Sequence, residues 1–420
     1  MLLVSMKVST FFVLLMITAA EPLKVAVIGG GAAGLAAARV FSRNGIQPVV
    51  LEKERVVGGV WNYRPQSKTR PMYKGLRTNL PREIMAYRER PWGGPGKSYV
   101  THKDVLDYLL EYKNDFDLEK YIQFGAEVTQ LTMLPGTKSS VSRETETWPK
   151  IQLDWRTQEK KEQGVFDAVC VANGHYARPS MPVLVGNEFF HGTIIHSIEY
   201  DEPEHFANQV VLCIGGRASG SDLAREISQF ARHVYLSDTT MTSTKVIGNV
   251  TWVPKTLMIH ADGSLSFDHD CKENPIIDAI IFCTGYDYSF PFINKKSNLN
   301  LINVPGERRI APLFEQLWHS QYPNLSFHGL PHSVIPFPLF ELQAEAVTAQ
   351  LLLTSNLPSR QRRDEEATHD TLQGGSKQQG RIQDTHYLGT AQWTYCRNLA
   401  DFANLLDEDM ENYIATNQVS

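Results

Sequence analysis

Cysteine is scarce. Five in 420 residues cannot staple a chain of this length, so a disulfide-built or metal-built scaffold is excluded and no metal is expected. An excess of basic residues is missing as well. Lys and Arg number 41 against 46 Asp and Glu, a formal charge of −5, and no segment is basic enough to make nucleic acid a partner. Past the N-terminal leader, no apolar run approaches the roughly 20 residues that cross a bilayer. The remaining composition is ordinary: 42% apolar and 21% charged residues exclude disordered and fibrous classes. The length is too great for one core and suits two domains.

Residues 1–20 carry Lys7, an apolar stretch over 8–17, and the small residues Thr18 and Ala20 ahead of Glu21. That is the layout of a removable secretory signal peptide. An uncleaved membrane anchor would need a longer run. The expected mature protein is soluble and secreted, with the ER lumen as the alternative, although the chain does not close on a retention tetrapeptide. Glycosylation sequons at Asn249-Val250-Thr251 and Asn324-Leu325-Ser326 suit that route. Cys170, Cys213 and Cys283 lie in apolar β-type runs, where a thiol serves as a small hydrophobe; Cys271 and Cys396 are the candidates for exposure.

Two nucleotide-binding units can be read directly. A β-rich run over 24–28 leads into Gly29-Gly30-Gly31-Ala32-Ala33-Gly34, a helical stretch, and a second β run that ends in Glu52, 23 residues after Gly29. Strand, G-x-G-x-x-G, helix, strand, acid is the dinucleotide fingerprint with its context intact. Backbone amides at the positive end of the helix meet a pyrophosphate, and Glu52 accepts from a ribose hydroxyl. The pattern recurs at Gly215-Gly216-Arg217-Ala218-Ser219-Gly220, between a strand over 209–214 and a helix that opens with Ser221 and Asp222. Here Arg217 stands where a glycine is usual, and its side chain is expected to crowd the pyrophosphate. Two such units imply two cofactors and electron transfer between them. The fold class is α/β, with two Rossmann-like domains. Apolar strands over 166–172 and 278–283 end in Asn173-Gly174-His175 and Thr284-Gly285-Tyr286, where open α/β sheets place ligands. The polar stretch 358–380 reads as a mobile surface loop.

Between the two units, Phe190, Gly192, His196 and Tyr200 fit the motif F-x-G-x-x-x-H-x-x-x-[FY] at all four fixed positions. Gly58-Gly59-Val60-Trp61, Thr78-Asn79-Leu80-Pro81 and Phe337-Pro338-Leu339-Phe340-Glu341-Leu342-Gln343 follow in the expected order. On these residues the chain resembles flavin-containing monooxygenases over most of its length. A secreted chain without a C-terminal anchor is similar to the insect branch of senecionine N-oxygenases, while the Ala218-Ser219-Gly220 and 337–343 segments resemble plant S-oxygenating members. The resemblance implies a discontinuous FAD domain (21–185 and 292–420) with a smaller NADPH domain (186–291) inserted. It implies flavin reduction by NADPH, capture of O₂ as a C4a-hydroperoxyflavin, and transfer of one oxygen atom to a small soft nucleophile. The expected substrate is a tertiary amine or alkaloid-like xenobiotic, with S-oxygenation of sulfides as the alternative. A homo-oligomer is left open.

The resemblance also assigns residues. Asn79 would touch flavin and nicotinamide, a neutral amide that offers no acidic proton; without the family context it reads as a turn residue. Val60 and Trp61 would lie along the flavin, with Thr78, Leu80, Gln343 and Glu341 nearby. Gly215, Gly216, Arg217, Ser219, Gly220, Ser221 and Asp222 would hold NADPH. His196 and Tyr200 are expected to link the domains rather than to catalyse. Asp238, 23 residues after Gly215, favours a free ribose hydroxyl, and Thr239 stands where many relatives carry arginine. A disulfide reductase needs two close cysteines, which are absent; a Baeyer–Villiger oxygenase carries a longer form of the motif. From another class, a secreted flavin-binding protein without turnover would follow if Arg217 disabled the second site.

Overall fold

The computed structural model describes residues 23–143, 146–269, 271–373 and 384–418; the leader and its cleavage point lie outside them. Short apolar strands, buried on both faces, build a seven-stranded sheet. Its order is Leu313–Phe314, Trp318–His319, Leu325–Phe327, Ala168–Val171, Lys24–Ile28, Gln47–Glu52 and Ile122–Phe124. The five strands from Leu325–Phe327 onward are parallel, and the other two are added antiparallel at one edge. A parallel sheet needs cover on both faces. One cover is a helical layer. The helix Ala32–Arg43 buries nine of its twelve residues and packs on Pro336–Leu351, which buries fourteen of sixteen. Leu35 and Phe41, both at 0% exposure, each contribute about 1.5–3 kcal/mol by leaving water. The other cover is the antiparallel sheet Glu127–Leu134, Lys150–Arg156 and Lys161–Phe166, packed through Leu131, Leu153 and Phe166.

The chain leaves this body and builds a second, six-stranded sheet. Its order is Lys245–Ile247, Val250–Val253, His233–Ser237, Val210–Ile214, Ala279–Phe282 and Thr193–His196, parallel except for the first pair. It then returns to complete the first sheet. The outgoing and returning passages run side by side, Arg178–Pro179 antiparallel to Tyr286–Asp287. The two nucleotide folds expected from the sequence are both present, one inserted in the other.

Three expectations change. Residues 360–373 form a helix, not a loop. Its polar side chains pair at i, i+4, as in Arg360–Asp364 and Arg362–Glu366, and the buried Arg363 anchors it through Ser320, Pro358 and Glu146. Residues 374–383 lie outside the described chain. Cys396 is buried in the core, which leaves Cys271 as the more exposed thiol, and all five cysteines are free. Asn324 is 1% exposed, and its amide nitrogen donates to Pro149 O and Asp167 O at 2.9 Å each, so this fold has no room for a glycan there. The amide nitrogen of Asn249 is likewise spent, on Ser228 O and Ala231 O.

Candidate active site

The first glycine turn is dictated by close contacts. Gly29 has φ +105°, and a Cβ there would sit 2.6 Å from Ala172 O; a Cβ at Gly34 would collide with Gly29 O. Helix and strand therefore approach as closely as backbone allows. Gly31 differs. A Cβ there would meet only the Gly59 backbone, at 3.6 Å, so the protein's own packing does not require glycine. Its lack of a side chain keeps open the path to the N-terminus of Ala32–Arg43, which no side chain caps. Glu52 closes the far end. Its Oε2 accepts from Gly30 N at 2.5 Å and its Oε1 from Glu54 N at 2.7 Å. Burial raises the Glu52 carboxyl above its ordinary value, and the two backbone donors pull it partly back.

The second turn repeats this plan. Gly215 has φ +111°, with Cys283 O at 2.6 Å from a built Cβ, and Gly220 lies against Gly215 O. The helix Ala218–Ile227 is also uncapped by any side chain. Arg217 is extended, its side chain is 60% exposed, and it reaches across to Asp384 at 3.5 Å. It leaves the turn open instead of crowding it, which removes the ground for a disabled second site.

One segment joins the cradles. Tyr73 and Leu76 pack in the core of the second domain, whereas Leu80 packs with Ala32, Val57 and Met85 in the first. Asn79 lies between these anchors. Thr78 holds the passage in place: its N–H donates to Val100 O at 2.8 Å, and its hydroxyl accepts from Val100 N at 3.1 Å. Asn79 itself is exposed and makes no hydrogen bond to a described residue, so its amide is available at the junction. A turn asparagine bonded to its own backbone would look different.

A family model described as flavin-binding monooxygenase-like matches residues 22–261 and 241–409. The chain belongs to that family. Among curated relatives, flavin-containing monooxygenase FMO GS-OX-like 2 of Arabidopsis thaliana is 36% identical over 377 residues, 83% of this chain and 78% of the relative. Flavin-containing monooxygenase FMO GS-OX5 of the same plant is 34% identical over 416 residues, 91% and 85% of the two chains. The solved structure of S-allyl-L-cysteine S-oxygenase from Allium sativum superposes with a TM-score of 0.81 at 30% identity, covering 94% of this chain and 92% of that one. The protein is thus an NADPH-dependent flavin monooxygenase that uses FAD.

The cradles of the monooxygenase fit those groups. The gap at Gly31 and the uncapped amides around Ala32, Ala33 and Gly34 suit an FAD pyrophosphate, and Glu52 suits its ribose. Ser219 is exposed on the first turn of the helix Ala218–Ile227, whose N-terminus no side chain caps, and suits a dinucleotide bound from solvent. Val60 and Trp61 stand on a turn whose Gly58 N donates to Gly30 O at 3.0 Å, and Trp61 packs on the Ala32 cluster.

Other expected site residues are placed differently. Gln343 is fully buried, accepting from Gly329 N at 2.9 Å and donating to Tyr395 OH at 3.1 Å. Its amide is bonded inside the protein and reaches no open surface. Glu341 likewise accepts from Arg88 N. Asp222 accepts from the Tyr73 hydroxyl, which fastens the 73–80 segment to the second domain, and pairs with Arg225 along its own helix. Ser221 donates back to Gly216 O at 2.8 Å. His196 donates from Nε2 to Gly285 O and accepts at Nδ1 from Ile198 N, which fixes a neutral ring. Tyr200 packs edge-on against Tyr73, with ring centroids 5.3 Å apart.

Sequence reasoning missed two residues. The buried Arg70 donates to Gly59 O at 2.6 Å and pairs with Glu54 at 2.9 Å, so it braces the Trp61 turn against the Glu52 end of the cradle. Asp201 accepts from Tyr63 OH and Gln66 N, clasping the entry to the second domain. Neither belongs to a motif. Asp201, one residue after Tyr200, was the nearer to detection.

Proposed function

We propose that the enzyme oxygenates a thioether sulfur, with a tertiary amine nitrogen as the second substrate class, and that Asn79 is the residue at which flavin and nicotinamide meet. The 73–80 segment carries this reading. It runs from the second core to the first and presents an unpaired, neutral amide between two open cradles. The bound flavin, reduced by NADPH, supplies the activated oxygen. The task of the chain is to position the partners, exclude water and withhold protons. Two imidazoles of the chain suit the withholding of protons. Burial pushes His175 and His332 down to about 4, so both are uncharged at neutral pH. Tyr176 and Tyr288 flank His175 at ring separations of 4.2 and 5.3 Å, and Tyr286 stands 5.4 Å from Tyr176, an aromatic, polarisable group suited to a soft sulfur or nitrogen.

Sulfur is placed first because a whole-chain neighbour at 30% identity is described as an S-oxygenase acting on S-allyl-L-cysteine. The test is a matched panel of thioethers and tertiary amines with FAD-loaded protein, NADPH and ¹⁸O₂. Sulfoxide carrying one ¹⁸O, formed in step with NADPH use, supports sulfur; N-oxide alone supports the amine. NADPH oxidation with neither product defeats both. On the layout of residues 1–20 we further propose export with cleavage near Glu21, which N-terminal sequencing of secreted protein would check.

A further inference from the structure

The ribose end of the second cradle carries a feature that the oxygenase reading does not use. Asp238 follows the strand His233–Ser237 and lies 23 residues after Gly215, the spacing from Gly29 to Glu52. The equivalence holds in space. Gly29 N donates to Leu51 O at 2.9 Å and Gly215 N to Ser237 O at 2.8 Å, so each turn leaves its sheet beside the acid-bearing strand. In the first fold, a Cβ at Gly30 would lie 3.1 Å from Glu52 Oε2. In the second, a Cβ at Gly216 would lie 2.7 Å from Asp238 Cγ and closer still to Oδ2. Both carboxylates are thus folded back onto the second glycine of their turn.

Asp238 is also fixed in rotation. Its Oδ1 accepts from Thr240 N at 2.7 Å and from Thr240 Oγ1 at 2.8 Å, leaving Oδ2 toward the turn. Among the described residues no Lys or Arg lies within ion-pair distance of Asp238. Arg217, the cation of the turn, is directed at Asp384, and the two residues after Asp238 are the uncharged Thr239 and Thr240.

We propose that Asp238 makes this second site one for a dinucleotide with a free ribose 2′-hydroxyl, so that NADH is bound alongside NADPH and at least as well. A carboxylate accepts hydrogen bonds from a ribose diol. A 2′-phosphate offers it no donor and brings a charge of about −1.5 to −2. With no guanidinium paired to Asp238 to offset that charge, the group is proposed to add nothing to binding.

The probe is the phosphate itself. Adenosine 2′,5′-bisphosphate and 5′-AMP differ only by the 2′-phosphate, and both can be titrated calorimetrically into the FAD-loaded full chain, beside NAD⁺ and NADP⁺. The bisphosphate should bind no tighter than 5′-AMP, and NAD⁺ at least as tightly as NADP⁺. Asp238→Asn, which keeps the shape and removes the charge, should raise the bisphosphate-to-AMP affinity ratio by about tenfold or more. Thr239→Arg should raise it independently, so the test survives if one variant fails to fold. A wild-type preference of about tenfold or more for the bisphosphate overturns the proposal, as does a ratio that neither variant moves.

Discussion

The two nucleotide cradles share a plan and differ in depth. In the first, nine of twelve helix residues are buried and the acid is 5% exposed; in the second, four of ten are buried and the turn opens to solvent. The same backbone device therefore serves two kinds of occupancy. A cofactor seated at Gly29–Gly31 would be enclosed by core and would be retained, whereas one at Gly215–Ser219 would be held on a more open surface and would exchange more readily. The glycine pattern alone does not report this difference in burial.

The sharpest way to break this comparison is at the glycines that contact backbone. Gly34→Val drives a side chain into Gly29 O, and Gly220→Val drives one into Gly215 O. The first should yield misfolded, colourless protein. The second should stay yellow and reducible by dithionite but lose reduction by NADPH. Flavin absorbance per polypeptide and anaerobic reduction separate them; equal damage from both would mean that the domains fold as one unit. Gly31→Val, where a Cβ meets only Gly59 at 3.6 Å, should fold but bind no flavin, and a yellow variant would place the cofactor elsewhere.

Asn79→Asp acts at the junction. It should keep flavin, because Asn79 is separate from the pyrophosphate turn, yet lower product per NADPH by about tenfold or more, with hydrogen peroxide as the balance. Unchanged coupling would return Asn79 to the role of a turn residue.

Acid should separate the domains less drastically. Burial pushes His328 and His386 of the first domain down to about 3 and His319 to about 4. The unfolded chain binds these protons below its ordinary value of 6.5, while the native chain does not until pH approaches 3–4. Stability is thus full above pH 6.5 and falls as pH drops toward 4. Calorimetric melting from pH 7.5 to 5 should show this together with earlier flavin release; a flat Tm would refute it. The smallest effect belongs to Arg217→Ala. A pair exposed at one end is worth about 0–1 kcal/mol, so Tm should barely move and nucleotide affinity should change only a few-fold. Complete loss of nucleotide binding would make Arg217 part of the cradle.

What was legible in the sequence was local. Each glycine turn, its helix and its acid lie within 24 residues, and backbone sterics constrain them tightly enough to show as a pattern. The partners of polar side chains were not legible. Gln343 and Asp222 looked like ligand residues by position, but Gly329, Tyr395 and Tyr73 claim them from far along the chain. Arg70 left no trace because its role depends on Glu54 and Gly59 folding back toward it. The helix Arg360–Gln373 was missed because low apolarity suggested a loop, whereas i, i+4 pairs and one buried arginine suffice to hold it.

The two hydrogen bonds between Thr78 and Val100 have a mechanical consequence. The chain leaves the second domain at Leu76 and is already fastened to the first at Thr78. Were the inserted domain to swing, Leu76 would be drawn with it while Thr78 stayed with the first domain, so this stretch would yield upstream of Asn79. The Asn79 amide is thereby held with the first domain. A nucleotide carried on the inserted domain would then be aligned against a stop that does not travel with it.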